Sequence, residues 1–343
     1  MTPRGIDIHT HVVPATFPAY SGNRPDVPWP AMRHTPCDHA QILLAGKLYR
    51  EVESDCWNVP RRLADMKQAG IARQVLSPMP ELLSYWMASD DTAVLCTWMN
   101  EQIAAMVGES PDHLTGLGIV PLQDPERAAG VLDPIMGELG LAGVEIGPTV
   151  LGRSIGDPMF TPFFAEAERL GAAIFVHALH PAGKERLVGP AALEQVAAFP
   201  GETALAIVSM ITGGMLERHP GLKIAFSHGG GAFGLVLPRL QHAWETLPAV
   251  SQTMPKPPRD YARRLSYDTL VYDRRTLRFL IETYGITQLM VGSDYPFSIR
   301  EPDPCGRIAK LGLTGDEEDL LLFANAEKFL AAGGLSPDSS RGF

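Results

Sequence analysis

His9 and His11 flank Thr10 in the run Ile6-Asp7-Ile8-His9-Thr10-His11. Alternate residues of a β-strand point to the same side, so an extended run here projects both imidazoles together. Two imidazoles side by side at a strand end make half of a divalent-metal site, and neutral imidazole suits zinc, iron and related ions. The competing reading is a pair of half-buried structural histidines, or a remnant of an affinity tag. What decides between them is whether the chain supplies further ligands at comparable positions.

The rest of the chain alternates strand and helix signals. Strands are expected at 5–9, 73–77, 114–120, 143–147, 173–177, 223–227, 264–267 and 288–292. Helical periodicity follows each, at 60–70, 91–108, 124–137, 158–171, 201–219, 232–247, 274–284 and 316–332. Such alternation implies an α/β protein with a parallel sheet and helices outside it. Eight units over 343 residues fit a (β/α)8 TIM-like barrel better than a doubly wound sheet. One barrel over 1–332 is expected, followed by a polar 333–343 tail expected to be mobile. The rhythm breaks only at 13–58, which holds Pro14, Pro18, Pro25, Pro28, Pro30 and Pro36. A long non-helical connection inside a domain is usually functional, so this stretch is read as a Pro-rich insertion after the first strand. It would form a flap with a few short strands, 42–52 being the best strand material.

Active sites of such barrels sit at the C-terminal ends of the strands. The first strand ends in His9 and His11, the fifth in His177, the sixth in His228 and the eighth in Asp294. These metal-capable or base-capable residues fall in phase with strands that converge on one mouth, which favours the metal reading. Two other motifs lack their context. Gly229-Gly230-Gly231-Ala232-Phe233-Gly234 has a dinucleotide-fingerprint spacing but no acidic residue at the required distance. Its glycines are expected to let the backbone turn sharply behind His228. Gly152-Arg153-Ser154-Ile155-Gly156 has the spacing of a serine-hydrolase elbow but lies in a loop between prolines, not between a strand and a helix.

A net charge of −10 without any basic run argues against nucleic-acid binding. Cys37, Cys56, Cys96 and Cys305 are scattered, with no Cys-x-x-Cys, which favours a reduced compartment over a thiolate zinc cluster. No signal-like apolar stretch opens the chain and no apolar run reads as a bilayer span. A cytoplasmic enzyme with no membrane partner is the expectation.

His-x-His after strand one, His after strands five and six, and Asp294 in Gly292-Ser293-Asp294-Tyr295-Pro296 resemble the amidohydrolase superfamily. The runs Glu202-Thr203-Ala204-Leu205-Ala206-Ile207, Leu216-Glu217-Arg218, Leu222-Lys223-Ile224 and His228-Gly229-Gly230-Gly231 extend the resemblance to its α-amino-β-carboxymuconate-ε-semialdehyde decarboxylase family. The resemblance implies a barrel that removes CO2 without an oxidant, with His9, His11, His177 and Asp294 on one zinc ion per chain, or another divalent transition metal. His228 would be the acid/base. Activated water would add to the substrate's conjugated system before carboxylate is lost, with Asp294 also holding the water. Arg50 and Arg239 match arginines that bind the small carboxylic-acid substrate in that family, and Arg239 would come from the neighbouring subunit of a homodimer.

The resemblance is broken after His177, where Ala178-Leu179-His180 replaces a Trp-containing loop, and this leaves the particular substrate open. His180 is read as a pocket-edge or solvated loop residue and not as a ligand. Glu145, ending the fourth strand, is read as a hydrogen-bonded wall of a mononuclear site and not as a bridge between two metals. The same site could serve a hydrolase or hydratase, and a barrel that binds without catalysis is the non-enzymatic alternative.

Overall fold

The computed structural model describes residues 4–36 and 38–331; Cys37 and the 333–343 tail lie outside the described residues. Eight parallel strands follow one another around a barrel: β1 (Gly5–Val12), β2 (Ile71–Pro78), β3 (Leu114–Gly118), β4 (Gly143–Ile146), β5 (Ala173–Val176), β6 (Lys223–Phe226), β7 (Ser266–Asp268) and β8 (Leu289–Met290). The chain beyond β8 closes the ring against β1. The Ile8 amide donates to the Val291 carbonyl at 2.9 Å, and that of His11 to Tyr295 at 2.7 Å.

One residue or more from most strands fills the barrel interior: Ile6, Ile8, Val75, Leu117, Ala173, Phe175, Ala225 and Met290. Ala326 and Phe329 of the last helical segment stop its lower end. A bulge in β1 matters here. Between the pairs Asp7–Gln74 and Thr10–Leu76 the first strand carries one residue more than its neighbour. The extra residue lets Ile8 join this plug while the next residue, His9, lays its ring against Phe175 at 5.0 Å.

The insertion forms a three-stranded antiparallel sheet of Pro30–Thr35, His39–Leu44 and Lys47–Glu53. The stretch 42–52 falls on two of these short strands and the turn between them. Ala45 and Gly46 both have positive φ (+50° and +73°), the geometry of a two-residue hairpin turn. The sheet returns to the barrel through a turn at Ser54–Cys56 and the helix Val59–Gln68, whose N-terminus Asn58 caps by accepting from the Arg61 amide. Buried Arg62 fixes this root. Its guanidinium donates to the carbonyls of His11 (2.7 Å) and Asp55 (3.0 Å) and to Gln74 Oε1 (3.0 Å). It also lies 4.7 Å from the centroid of the Tyr295 ring. One side chain thus ties the flap, the end of β1 and the closing segment together.

Two helices differ from expectation. The 124–137 helix is split into Pro125–Gly130 and Leu132–Gly137, because the Pro134 ring would meet the carbonyl four residues back in a continuous helix. The 201–219 helix starts earlier, so that Glu194–Thr212 is one helical run long and apolar enough to cross a membrane by length and composition, which corrects the expectation that none would be. Its residues Ala206, Ile207, Met210 and Ile211 are buried in the main core, as in a helix of the barrel's outer layer.

Candidate metal centre

The strand ends bring His9, His11, His177 and Asp294 into one buried cluster whose ligand-capable atoms all lie within 4.8 Å of one another. Hydrogen bonds on the far side of each ring set its tautomer. His9 Nδ1 is 2.6 Å from Asp268 Oδ2, His11 Nδ1 is 3.0 Å from the Pro78 carbonyl, and His177 Nδ1 is 2.8 Å from the Ala178 carbonyl. All three partners only accept, so each Nδ1 carries the proton and each Nε2 presents a lone pair. The His9 and His11 Nε2 atoms are 3.1 Å apart, and His177 Nε2 is buried without a hydrogen-bond partner. Asp294 Oδ1 adds negative charge 3.1 Å from His11 Nε2 and 3.6 Å from His9 Nε2. Converging lone pairs and a carboxylate repel one another unless a cation sits among them, so these residues fit a divalent ion.

The electrostatics agree. Burial disfavours charge on His9, but the hydrogen bond and charge of Asp268, with Asp294 and Glu145 beyond, outweigh it and raise its pKa to about 9. A proton there does in part what a metal ion would do. His177 is driven well below its usual value by burial and then by its neighbouring histidines. Asp294 stays below the usual carboxylate range despite its burial, because the close His11 ring and the positive charge favoured on the surrounding histidines hold its ionised form.

His228 stands beside the cluster and not within it. Its ring lies 5.1 Å from those of His9 and His177, centroid to centroid. Burial first, then the charge on His9, lowers its pKa to about 4. Its φ of +56°, like the +65° of Asp294, is uncommon outside glycine. Three glycines follow it, all with positive φ, and a Cβ on Gly231 would lie 2.3 Å from the Pro200 carbonyl oxygen. The Gly-rich run is therefore a sharp turn behind His228, as the sequence suggested.

Asp268, which ends β7, was not singled out from the sequence. Besides His9 it accepts the backbone amides of His228 (2.9 Å), Gly229 (2.8 Å) and Leu270 (3.0 Å). One carboxylate orients a cluster imidazole and anchors the backbone of the neighbouring one. The signal was available: Asp268 is an acid at a strand end, in phase with His177, His228 and Asp294. Its strand was read as ending at Tyr267. Asp268→Asn should weaken metal binding about 10- to 100-fold, as loss of such outer partners does. Competition with a chromogenic chelator measures this, and an unchanged affinity would leave Asp268 with a folding role only.

Arg50, on the flap strand, opens on the same cavity of about 1060 Å³ as His11, His177, His228 and Asp294. Its guanidinium carbon lies 4.5 Å from the centroid of the Phe297 ring, which also stacks on His11 at 5.3 Å. Arg239 lies apart, exposed on the helix Phe233–Thr246 and outside this cavity. Within one chain it is not brought to the cluster. Glu145 lies buried under His11, its Oε2 3.8 Å from Nδ1, and burial pushes its pKa up to about 7. His180 is an exposed residue with its ring edge-on to Trp86, on a separate cavity of about 530 Å³. Ser154 sits in a two-residue strand paired with Thr149–Val150, not in an elbow.

Fold and site define a (β/α)8 barrel with a His/Asp cluster able to hold a metal ion at the C-terminal mouth of its strands. The chain belongs to the amidohydrolase family, whose profile matches residues 6–331. It is 35% identical over 335 residues to a 2-amino-3-carboxymuconate-6-semialdehyde decarboxylase of Dictyostelium discoideum, covering 97% of this chain and 92% of that one. The apo crystal structure of Metarhizium anisopliae IDCase matches with a TM-score of 0.81 at 20% identity, covering 96% of this chain and 97% of that one. A dihydroxybenzoic acid decarboxylase from Polaromonas sp. JS666, with bound manganese and 2-nitroresorcinol, matches with a TM-score of 0.70 at 22% identity, covering 79% of this chain and 85% of that one.

Proposed function

We propose that this protein is a metal-dependent, non-oxidative decarboxylase of a small unsaturated carboxylic acid from aromatic or tryptophan catabolism, of the 2-amino-3-carboxymuconate 6-semialdehyde type. The observation that carries the reading is the shared cavity. His11, His177 and Asp294 of the donor cluster, the His228 imidazole outside that cluster and Arg50 all open on it. The named Dictyostelium relative, matched over nearly its full length, supports the reaction and the substrate class.

Decarboxylation breaks the bond between carbon and carboxylate, leaves the electron pair on carbon and replaces CO2 with one proton. Arg50 pairs with a substrate carboxylate through its planar fork, backed by the Phe297 ring. His228, neutral at working pH, takes a proton from the water that adds to the conjugated system and delivers it to the carbon that loses CO2. A zinc ion, or another divalent transition metal, held one per chain by His9, His11, His177 and Asp294 supplies positive charge and acidifies water. In a cytoplasmic homodimer Arg239 of each chain reaches the other's cavity. Exposed Leu235 and Val236 on the same helix give that contact an apolar surface.

The test follows freshly generated 2-amino-3-carboxymuconate 6-semialdehyde by loss of absorbance and by CO2 release from the metal-loaded protein. Metal-dependent release of one CO2 per substrate is expected. Substrate loss without CO2 would assign the same site to a hydrolase or hydratase instead. Arg50→Met should raise KM roughly 10- to 100-fold, since hydrogen bonds to charged groups are worth about 1.5–3 kcal/mol. A KM within twofold of the parent would remove Arg50 from the binding site.

A further inference from the structure

Arg50 and its neighbour Tyr49 reach the same carboxylate, although consecutive residues of a regular strand point to opposite faces. The flap explains how. Ile42 pairs with Arg50 but Leu43 pairs with Leu48, so Tyr49 is an extra, unpaired residue. Such bulges re-aim side chains and are frequent beside active sites. Here the bulge turns Tyr49 and Arg50 together onto Glu81, in the short turn Pro80–Leu83 that follows β2. The Tyr49 hydroxyl donates to Glu81 Oε1, and Arg50 Nη2 lies 3.9 Å from the same oxygen. Glu81 lines the metal cavity, is only 8% exposed, and its Oε2 is buried with no hydrogen-bond partner. Tyr49 stays a donor, because burial and the Glu81 charge push its pKa up.

We infer that Glu81 is a positioning residue for the substrate arginine: with Tyr49 it latches the flap to the barrel rim and holds Arg50 over the cavity against the face of Phe297. A carboxylate with one oxygen shared and the other unmade is costly to bury for packing alone. In this place it opposes the swing of Arg50 towards solvent and leaves the guanidinium free to exchange a single weak contact for a bidentate substrate carboxylate. The inference rests on the substrate-binding role of Arg50 proposed above, so the experiment separates the two.

The metal-loaded full-length protein is treated with phenylglyoxal, which modifies accessible arginines, and modification is read by peptide mass spectrometry. Arg61 and Arg300, which line the same cavity, are the references. In Glu81→Gln the rate at Arg50 should rise about fivefold, the worth of a modest ion pair, with both references within twofold. Tyr49→Phe should move it in the same direction. An unchanged rate at Arg50, or an equal rise at all three arginines, overturns the latch. In turnover, Glu81→Gln should raise KM about fivefold with kcat within twofold, and should add nothing in an Arg50→Met background, because both changes act through one group. An equal KM rise in that background overturns the positioning role. If Arg50→Met leaves KM unchanged while Glu81→Gln still exposes Arg50, the latch stands and the substrate role of Arg50 falls.

Discussion

His177→Ala should yield a folded protein with well under one metal ion per chain and about 10³-fold lower activity, since Lewis-acid stabilisation is worth several kcal/mol of the barrier. His177 is the ligand to remove. His9 also packs on Phe175 and holds Asp268, so truncating it would open a cavity beside the interior plug and confuse unfolding with metal loss. The His11 carbonyl receives Arg62 at the flap root and its ring stacks on Phe297. His177 has fewer duties. Its Nδ1 bonds the adjacent Ala178 carbonyl and its Nε2 has no hydrogen-bond partner among the described residues, so the ring commits little besides its place in the cluster. Elemental analysis of the purified variant and an initial-rate assay check the prediction, with thermal unfolding as the control for fold. Full metal occupancy with activity within threefold of the parent would dismiss the four-residue site. Dialysis of the parent protein against a chelator should reproduce the loss, and readdition of zinc or manganese should reverse it.

The features legible in the sequence were those that repeat with the strands. Apolar runs at regular spacing gave the barrel, and ligand-capable residues at the ends of the first, fifth and eighth runs gave the cluster, with that of the sixth beside it, because the C-terminal ends of all barrel strands share one mouth. Features that depend on irregular backbone or long-range contact were not legible. The bulge across Ile8 and His9 comes from pairing with β2, which no local pattern records. The bulge at Tyr49 comes likewise from pairing within the flap. The Ala45-Gly46 turn within 42–52 was hidden because alanine rarely takes positive φ. Asp268 escaped because its strand is only Ser266–Asp268, too short for alternation to show its end. Arg62 looks like any helical arginine until burial removes its solvent. Its partners come from the end of β1, the flap root and β2, segments adjacent only in the closed barrel. Arg239 marks a different boundary: its exposed place on the helix Phe233–Thr246 acquires meaning only with a second chain.

His228→Asn should keep one metal ion per chain and lower kcat by roughly 10²–10⁴-fold, the usual contribution of a positioned acid/base. Asparagine is the informative replacement. It tolerates left-handed backbone better than most residues, so the +56° φ at this position and the amide bond to Asp268 (2.9 Å) can persist, while the titrating imidazole is gone. Its amide cannot take up a proton near neutral pH, so the side chain remains polar without being an acid/base. The geometry already separates His228 from the four cluster residues. Its ring lines the cavity, it is absent from the four-residue cluster, and its backbone, not its ring, is what Asp268 holds. A fifth ligand and an acid/base therefore predict different outcomes for one substitution. Loss of metal together with activity would make His228 a ligand. Retention of metal and of activity within threefold would assign the proton step to another group, with Glu145 under His11 the next residue to replace. Retained metal with a deep loss in kcat, and a KM little changed, is the result expected of a residue that works on the reacting carbon and takes no share in holding the substrate carboxylate.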